Sequence, residues 1–352
     1  MRQLKKEVKI GKNIIGGNNP ILVQSMLNVK SDDVQGNVAQ AVALEKEGCQ
    51  IVRVSVPKLE DVKLIEAIKK EISIPLVADI HFDYKIALAC VEAGVDKIRI
   101  NPGNIGDDLR VMQVAKACNE KNIPIRIGVN AGSLEKHILQ KFGSPTPQAL
   151  CESAMYHIQL LEKYDFDNIV VSLKSSNVKT MIEAYTLLSE KCNYPLHLGV
   201  TEAGTYRMGI IKSSMGIGSL LLNGIGDTIR VSLTDTPINE IAAGFDILRA
   251  AGHKVSGPEI ISCPTCGRTR LDVAKIASEV EKRLKGLNAN IKVAVMGCAV
   301  NGPGEAKEAD IGIACGENNA VLFKKGEKVK VLEGDFIDEF ICDIKACAEE
   351  LN

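Results

Sequence analysis

Tryptophan is absent from the 352-residue chain, and only seven phenylalanines and six tyrosines are present. So few aromatic rings argue against the stacking platforms that hold single-stranded nucleic acid. An excess of one charge sign is also lacking. The formal net charge is −1, which gives no basic field for nucleic acid and no acidic tail for a partner. No apolar run reaches the roughly 18 residues of a membrane span. The N-terminal MRQLKKEVKI is basic but has no apolar stretch of the signal-peptide kind. No Gly-x-Gly-x-x-Gly follows the first strand-like run and no Walker pattern occurs, which weakens dinucleotide and P-loop readings.

What remains is the composition of a globular protein, 45% hydrophobic and 25% charged, with eleven cysteines. Without a signal sequence, that many cysteines fit a reducing cytoplasm, with thiols or metal ligands in place of disulfides. Cys49, Cys90, Cys118 and Cys151 sit in apolar patterns and read as small core residues. Cys192, Cys315, Cys342 and Cys347 also read as structural.

The first 255 residues alternate two patterns. A short hairpin is expected first, VKIG and NIIGG about the Gly11-Lys12 turn. Eight β-rich runs follow: ILVQSM (21–26), QIVRVSV (50–56), PLVADIHF (75–82), DKIRIN (96–101), PIRIGVN (124–130), NIVVSLK (168–174), PLHLGVT (195–201) and DTIRVSL (227–233). Helical patterns lie between them, such as Val34, Val38 and Val42 at four-residue spacing. Strands alternating with helices imply parallel strands joined by crossover helices. Eight such units match a (β/α)8 or TIM barrel, with an open doubly wound sheet as the runner-up.

A barrel places its working residues at the C-terminal ends of its strands. Polar residues collect there: Arg53; Asp79 and His81; Arg99 and Asn101; Arg126 and Asn130; Lys174; His197 and then Glu202; Arg230 and Ser232. Period-two spacing, as in Arg99/Asn101 and Arg230/Ser232, puts both members on one strand face. Five cations facing inward would repel one another without an anion between them. A diphosphate, its oxygens bound by guanidinium groups, is the natural counterpart. Glu202 among these cations is a candidate general acid/base, or equally a salt-bridge partner. Asp79 reads as a group that orients its neighbours. The Gly-rich stretch 204–226 is expected to form a helix packed near the barrel top.

His253 to Pro258 reads as a linker, so residues 256–352 form a second domain. It is expected to be a small α+β unit. A strand enters the Cys263-Pro264-Thr265-Cys266 turn and is followed by a helix at about 269–286. A second strand then runs into Cys298, and three more strands and a closing helix from about 336 complete the unit. A turn of this spacing aims two sulfurs at one point, and Cys298 adds a third. Glu305, in Asn301-Gly302-Pro303-Gly304-Glu305, is a candidate oxygen ligand. Three soft ligands and one weakly held position suit chemistry at a metal or cluster. The spacing alone leaves open an iron–sulfur cluster, a zinc ribbon, a redox Cys-x-x-Cys pair and unligated thiols.

The strings VADIHF, RINPGN, GVNAGSL, HLGVTEAG, GIGDTIRVSLT, SCPTCGR and MGCAVNGPGEAKEADIG together resemble the 4-hydroxy-3-methylbut-2-enyl diphosphate synthase family, in its two-domain bacterial form. The resemblance runs from about residue 8 to 350. It implies a TIM barrel followed by a domain like the sulfite/nitrite reductase repeat. It also implies a [4Fe–4S] cluster on Cys263, Cys266, Cys298 and Glu305. The implied reaction is the two-electron reductive ring opening and dehydration of 2-C-methyl-D-erythritol 2,4-cyclodiphosphate. Substrate contacts are implied at Arg53, His81, Arg99, Asn101, Arg126, Asn130, Lys174, Arg230 and Ser232. The acid/base carboxylate falls on Glu202, and Asn301 lies beside the cluster. The resemblance further implies flavodoxin or ferredoxin as electron donor. It implies a homodimer in which the cluster domain of one subunit closes the barrel mouth of the other. Leu27 departs from the family pattern, where threonine is expected. Two other classes compete on residues alone: a zinc-ribbon interaction module fused to a phosphate-binding barrel, and a barrel lyase using Lys174 as a Schiff base.

Overall fold

The computed structural model describes residues 2–298, 304 and 306–351. The chain divides into two units, Met1–Ala251 and Gly252–Asn352, against a sequence expectation of 255/256.

The first unit opens with an antiparallel hairpin, β1 (Val8–Ile10) and β2 (Asn13–Ile15). Eight strands follow: β3 (Leu22–Met26), β4 (Ile51–Ser55), β5 (Leu76–Asp79), β6 (Lys97–Ile100), β7 (Ile125–Asn130), β8 (Ile169–Lys174), β9 (His197–Leu198) and β10 (Thr228–Ile229). Neighbours in the chain pair in parallel from β3 to β8. β10 pairs with both β9 and β3, and a bridge between Val171 and Leu196 joins β8 to β9, so the ring closes. Such strands are buried on both faces, so apolar residues recur along them, interrupted at alternate positions by Lys97 and Arg99 in β6 and by Arg126 in β7.

Nine helices are described around the ring: α1 (Val34–Lys46), α2 (Lys63–Glu71), α3 (Tyr84–Glu92), α4 (Asp108–Glu120), α5 (Lys136–Phe142), α6 (Pro147–Glu162), α7 (Val178–Lys191), α8 (Tyr206–Leu222) and α9 (Pro237–Ala250). Their starts are written locally. Asp33, Asp83, Asp107, Thr146 and Asn177 each accept a hydrogen bond from a first-turn N–H. Proline occupies the first turn of α6 and α9, where its missing N–H costs nothing. Cys49, Cys90, Cys118 and Cys151 are buried core residues.

β9 and β10 are shorter than PLHLGVT and DTIRVSL suggest. One more ladder bond forms, from Arg230 N to Leu198 O at 2.9 Å. Beyond it Gly199 lies so close to the Arg230 carbonyl that an added Cβ would sit 2.8 Å from the oxygen. Arg230 and Ser232 therefore lie in the segment after β10, and His81 lies two residues past the end of β5.

The hairpin plugs one end of the ring. Val8, Ile10 and Ile15 pack with Leu22, Ile51, Val77 and Val170 in one buried apolar cluster. That is the N-terminal end of the strands.

The second unit contains β11 (Glu259–Ser262), α10 (Val273–Arg283), β12 (Lys292–Met296), β13 (Ile311–Cys315), β14 (Asn319–Lys324), β15 (Glu327–Glu333) and α11 (Ile337–Leu351). The sheet runs in chain order, parallel from β11 to β13 and antiparallel thereafter. α10 and α11 cover one face, with Val280, Val293, Val295, Ile313, Phe340 and Ile344 in the core. Cys315 and Cys347 are buried and Cys192 is half-buried. Cys342 is exposed on α11, which corrects its reading as a structural residue.

Candidate functional site

Following the registers once round the ring returns to β3 eight residues away from the start. That is the shear of a TIM barrel, and it sorts inward side chains into layers of four from alternate strands. Just above the plug the layer is Ile51, Lys97, Val170 and Thr228. Next come Gln24, Val77, Arg126 and His197. Above them are Arg53, Arg99 and Ser172, with Arg230 at the same height. Then come Met26, Asp79, Gly128 and Gly199, and at the mouth Ser55, Asn101, Lys174 and Ser232. Aliphatic side chains normally fill these layers. Here the apolar filling stops just above the plug.

Asp79 is the pivot. Its carboxylate accepts from Arg53 Nη2 and, at 3.1 Å, from Arg99 Nη1. Burial alone would raise the carboxyl, but the two guanidiniums outweigh it and hold it well below the usual range. His81, largely exposed, stands 3.8 Å from the same carboxylate. Arg99 lies across Gly128, where any Cβ would meet its Nε at 2.5 Å. Only glycine lets the guanidinium take that path. Arg230 turns to Glu240 of α9, donating to both oxygens at 3.2 and 3.1 Å. Ser25 donates to the same carboxylate at 3.0 Å.

The remaining cations have no such counterion. Among the described residues no carboxylate is within ion-pairing distance of Lys97, Arg126 or Lys174. Arg126 is fully buried and donates to Ser172 Oγ at 3.1 Å, while its Nε and Nη2 find no partner. Burial, and then Arg53 and Arg99, disfavour its charged form. A guanidinium does not release its proton in this range, so the charge calls for an anion. Lys174 is pushed well below the ordinary lysine value by burial and by the surrounding arginines. Lys97 shifts the same way by burial, then Arg126 and Arg53, and its Nζ is unpartnered. His197 is also driven well down by burial and by Arg126. Its Nδ1 bonds Thr228 Oγ1 at 2.8 Å.

Of the sequence-derived residues, Arg53, Asp79, Arg99, Asn101 and Lys174 thus reach the upper layers, Arg230 and Ser232 the segment just past β10, and Arg126 a lower layer. Asn130 ends β7, paired in register with Lys174 of β8. Ser232 is half-buried just beyond β10. Glu202 follows β9, is exposed, and holds φ +51°. That left-handed conformation is strained for glutamate, and such strain gathers at functional sites. Sequence reasoning missed Gln24, Lys97 and Glu240. Lys97 was accessible, since Lys97, Arg99 and Asn101 alternate on one strand face. Glu240 carries no local signal, because its partner arrives from another element.

In the second unit Cys263 directly follows β11 and Cys298 stands two residues past β12, at the same ends of adjacent parallel strands. Gly297 N donates to Cys263 Sγ at 3.1 Å. A side chain at Gly297 would put its Cβ 3.2 Å from that sulfur. Cys266 is exposed, and the backbone and side chain of Arg268 draw its thiol below the ordinary value. N–H bonds to sulfur and a thiol biased toward thiolate suit a soft metal or an iron–sulfur cluster. Among the described residues no three His, Cys, Asp or Glu side chains converge into a ready metal cage. Asn301 and Glu305 lie outside the described residues.

Two family models match the chain, the GcpE TIM-barrel domain over residues 5–245 and the GcpE protein C-terminal domain over 259–346. A protein of Caldanaerobacter subterraneus subsp. tengcongensis named 4-hydroxy-3-methylbut-2-en-1-yl diphosphate synthase (flavodoxin) is 58% identical, over 99% of each chain. A protein of the same name from Fusobacterium nucleatum is 56% identical over 96% of each. Among solved structures, a Yersinia pestis dihydropteroate synthase aligns with a TM-score of 0.51 at 10% identity. It covers 71% of this chain and all of its own, a likeness of fold alone. With both units matched in order and relatives identical at more than half of all positions, the chain belongs to the GcpE family.

Proposed function

We propose that the chain is a 4-hydroxy-3-methylbut-2-en-1-yl diphosphate synthase. It opens the ring of 2-C-methyl-D-erythritol 2,4-cyclodiphosphate by two-electron reduction and expels a hydroxyl as water. The relatives' names support flavodoxin as the electron donor, with ferredoxin as the other candidate. The observation that carries the reading is the buried cation excess of the barrel. Arg126 and Lys174 lack acid partners among the described residues, in a lumen where Asp79 already serves Arg53 and Arg99. A diphosphate fits it, because its oxygens accept from several guanidiniums at once.

In this reading Arg53, Arg99, Arg126, Lys174 and Arg230 hold the diphosphate, and Asp79 keeps Arg53 and Arg99 aimed. His81, Asn101, Asn130 and Ser232 bond the mouth-side part of the substrate. Glu202 moves a proton at the substrate's hydroxyl oxygens. A [4Fe–4S] cluster held by Cys263, Cys266, Cys298 and Glu305, with Asn301 beside it, would supply the electrons. The working form is a cytoplasmic homodimer in which the cluster domain of one subunit serves the barrel of the other.

The test is metal and acid-labile sulfide content of protein purified without oxygen, followed by turnover of the cyclic diphosphate with reduced flavodoxin. About four iron and four sulfide per chain, with turnover, is the expected result. Zinc without sulfide, persisting after iron–sulfur reconstitution, would overturn it.

A further inference from the structure

Below the mouth, on the side of β6 and β7, lies a polar cluster that the reading above does not use. Glu135 follows Asn130 by five residues, at the end of the loop after β7. Its Oε1 meets His157 Nε2 at 2.6 Å and its Oε2 accepts from Ser153 Oγ at 2.7 Å. Ser153 and His157 stand one turn apart on α6, and both are fully buried. The imidazole also touches the loop after β6. A Cβ at Gly103 would lie 2.8 Å from His157 Cε1, 3.5 Å from Glu135 Oε1 and 3.6 Å from Asn101 Oδ1. The Gly103 N–H in turn donates to Asn101 Oδ1 at 3.2 Å. The pair therefore bonds the loop after β7 to α6, while His157 packs against the loop after β6; the first loop begins directly after Asn130 and the second carries Asn101.

We propose that Glu135 and His157 are positioning residues, whose bond fixes the loop that leaves β7 after Asn130, braces the loop bearing Asn101 and so sets the geometry of the mouth. Stability does not require such a pair. Apolar side chains of similar volume would hold the loops about as firmly. What they lack is direction. A carboxylate with one oxygen on Ser153 and the other on His157 admits one loop position, whereas a greasy contact admits several. Burial would raise the Glu135 carboxyl, but the bonds from His157 and Ser153 prevail and bring it to about 2. The carboxylate form that the clamp needs is thus the stable one.

The proposal rests on reading the mouth as a diphosphate site, so the test separates the two. His157→Leu removes the bond and keeps the volume, and His157→Gln keeps a donor where Nε2 stood. Amide hydrogen exchange of residues 101–106 and 131–135, and the Kd for inorganic pyrophosphate, are read without need of turnover. KM and kcat for the cyclic diphosphate are read beside them. For His157→Leu we expect faster exchange in both loops and KM and Kd weaker by about tenfold. kcat should stay within about threefold, the melting temperature should fall because the Glu135 carboxylate loses a partner, and His157→Gln should recover most of both losses. Three results would overturn the positioning role: unchanged exchange; faster exchange with unchanged KM and Kd; or a fall in melting temperature that His157→Gln does not relieve. A wild-type protein that binds pyrophosphate but turns over no cyclic diphosphate sinks the functional reading alone, and exchange and Kd still decide the clamp.

Discussion

Lys97 occupies a place where a barrel ordinarily puts valine or isoleucine. Among the described residues its Nζ is buried without a partner, and burial drives it toward the neutral amine. An unpaired buried amine costs stability in the ligand-free protein. Lys97→Met is therefore expected to stabilise that state by about 1–3 kcal/mol in denaturant unfolding, and a destabilised variant would show that Lys97 has a partner there. Glu202 makes the opposite case, being exposed and held at positive φ. Glu202→Gln is expected to bind substrate within a few-fold of wild type and to lose about a hundredfold in kcat. Undiminished kcat would remove Glu202 from proton transfer. Both residues were open to sequence reading, Lys97 by its alternation with Arg99 and Glu202 by its place after a strand. Glu240 was not, because nothing near residue 240 announces Arg230. Glu135 and His157 are 22 residues apart and meet only once α6 has folded back.

The strands were the most legible elements. A parallel strand buried on both faces is rich in apolar residues, and each of the eight stands out between Gly-, Pro- or Asp-containing turns even where an inward position is charged. The ends of β9 and β10 were not legible. They depend on how closely Gly199 meets the Arg230 carbonyl, a tertiary fact. Loops carry their own pH signature. The Glu135 carboxyl falls from 4.5 to about 2 in the folded chain. Its pairing therefore contributes fully above pH 4.5, and the contribution is lost as pH falls from there toward 2. Melting temperatures across the acid range should fall more steeply for wild type than for Glu135→Gln. Parallel curves would mean that the pair contributes nothing to folding. In the second unit the five strands and both helices were legible, and so was the placing of both cysteine loops after strand ends. What a spacing cannot give is the point where sulfurs meet.

For the molecule as a whole, composition excluded more than it chose. A net charge of −1 hides a lumen crowded with positive charge, because the acidic residues that balance the total lie elsewhere. The two units keep separate cores, one a ring of eight strands and the other a five-stranded sheet under two helices. The hairpin of β1 and β2 gives the first of them a further character. With Val8, Ile10 and Ile15 set into its base, the ring is a cup and not a pipe. A pipe lets traffic pass through, but a cup has one doorway for arrivals and departures. If the lumen holds the substrate, as proposed above, the product must back out along the path by which the next molecule comes in. Each turnover is then a queue of length one, and the residues at the rim govern exit as much as entry.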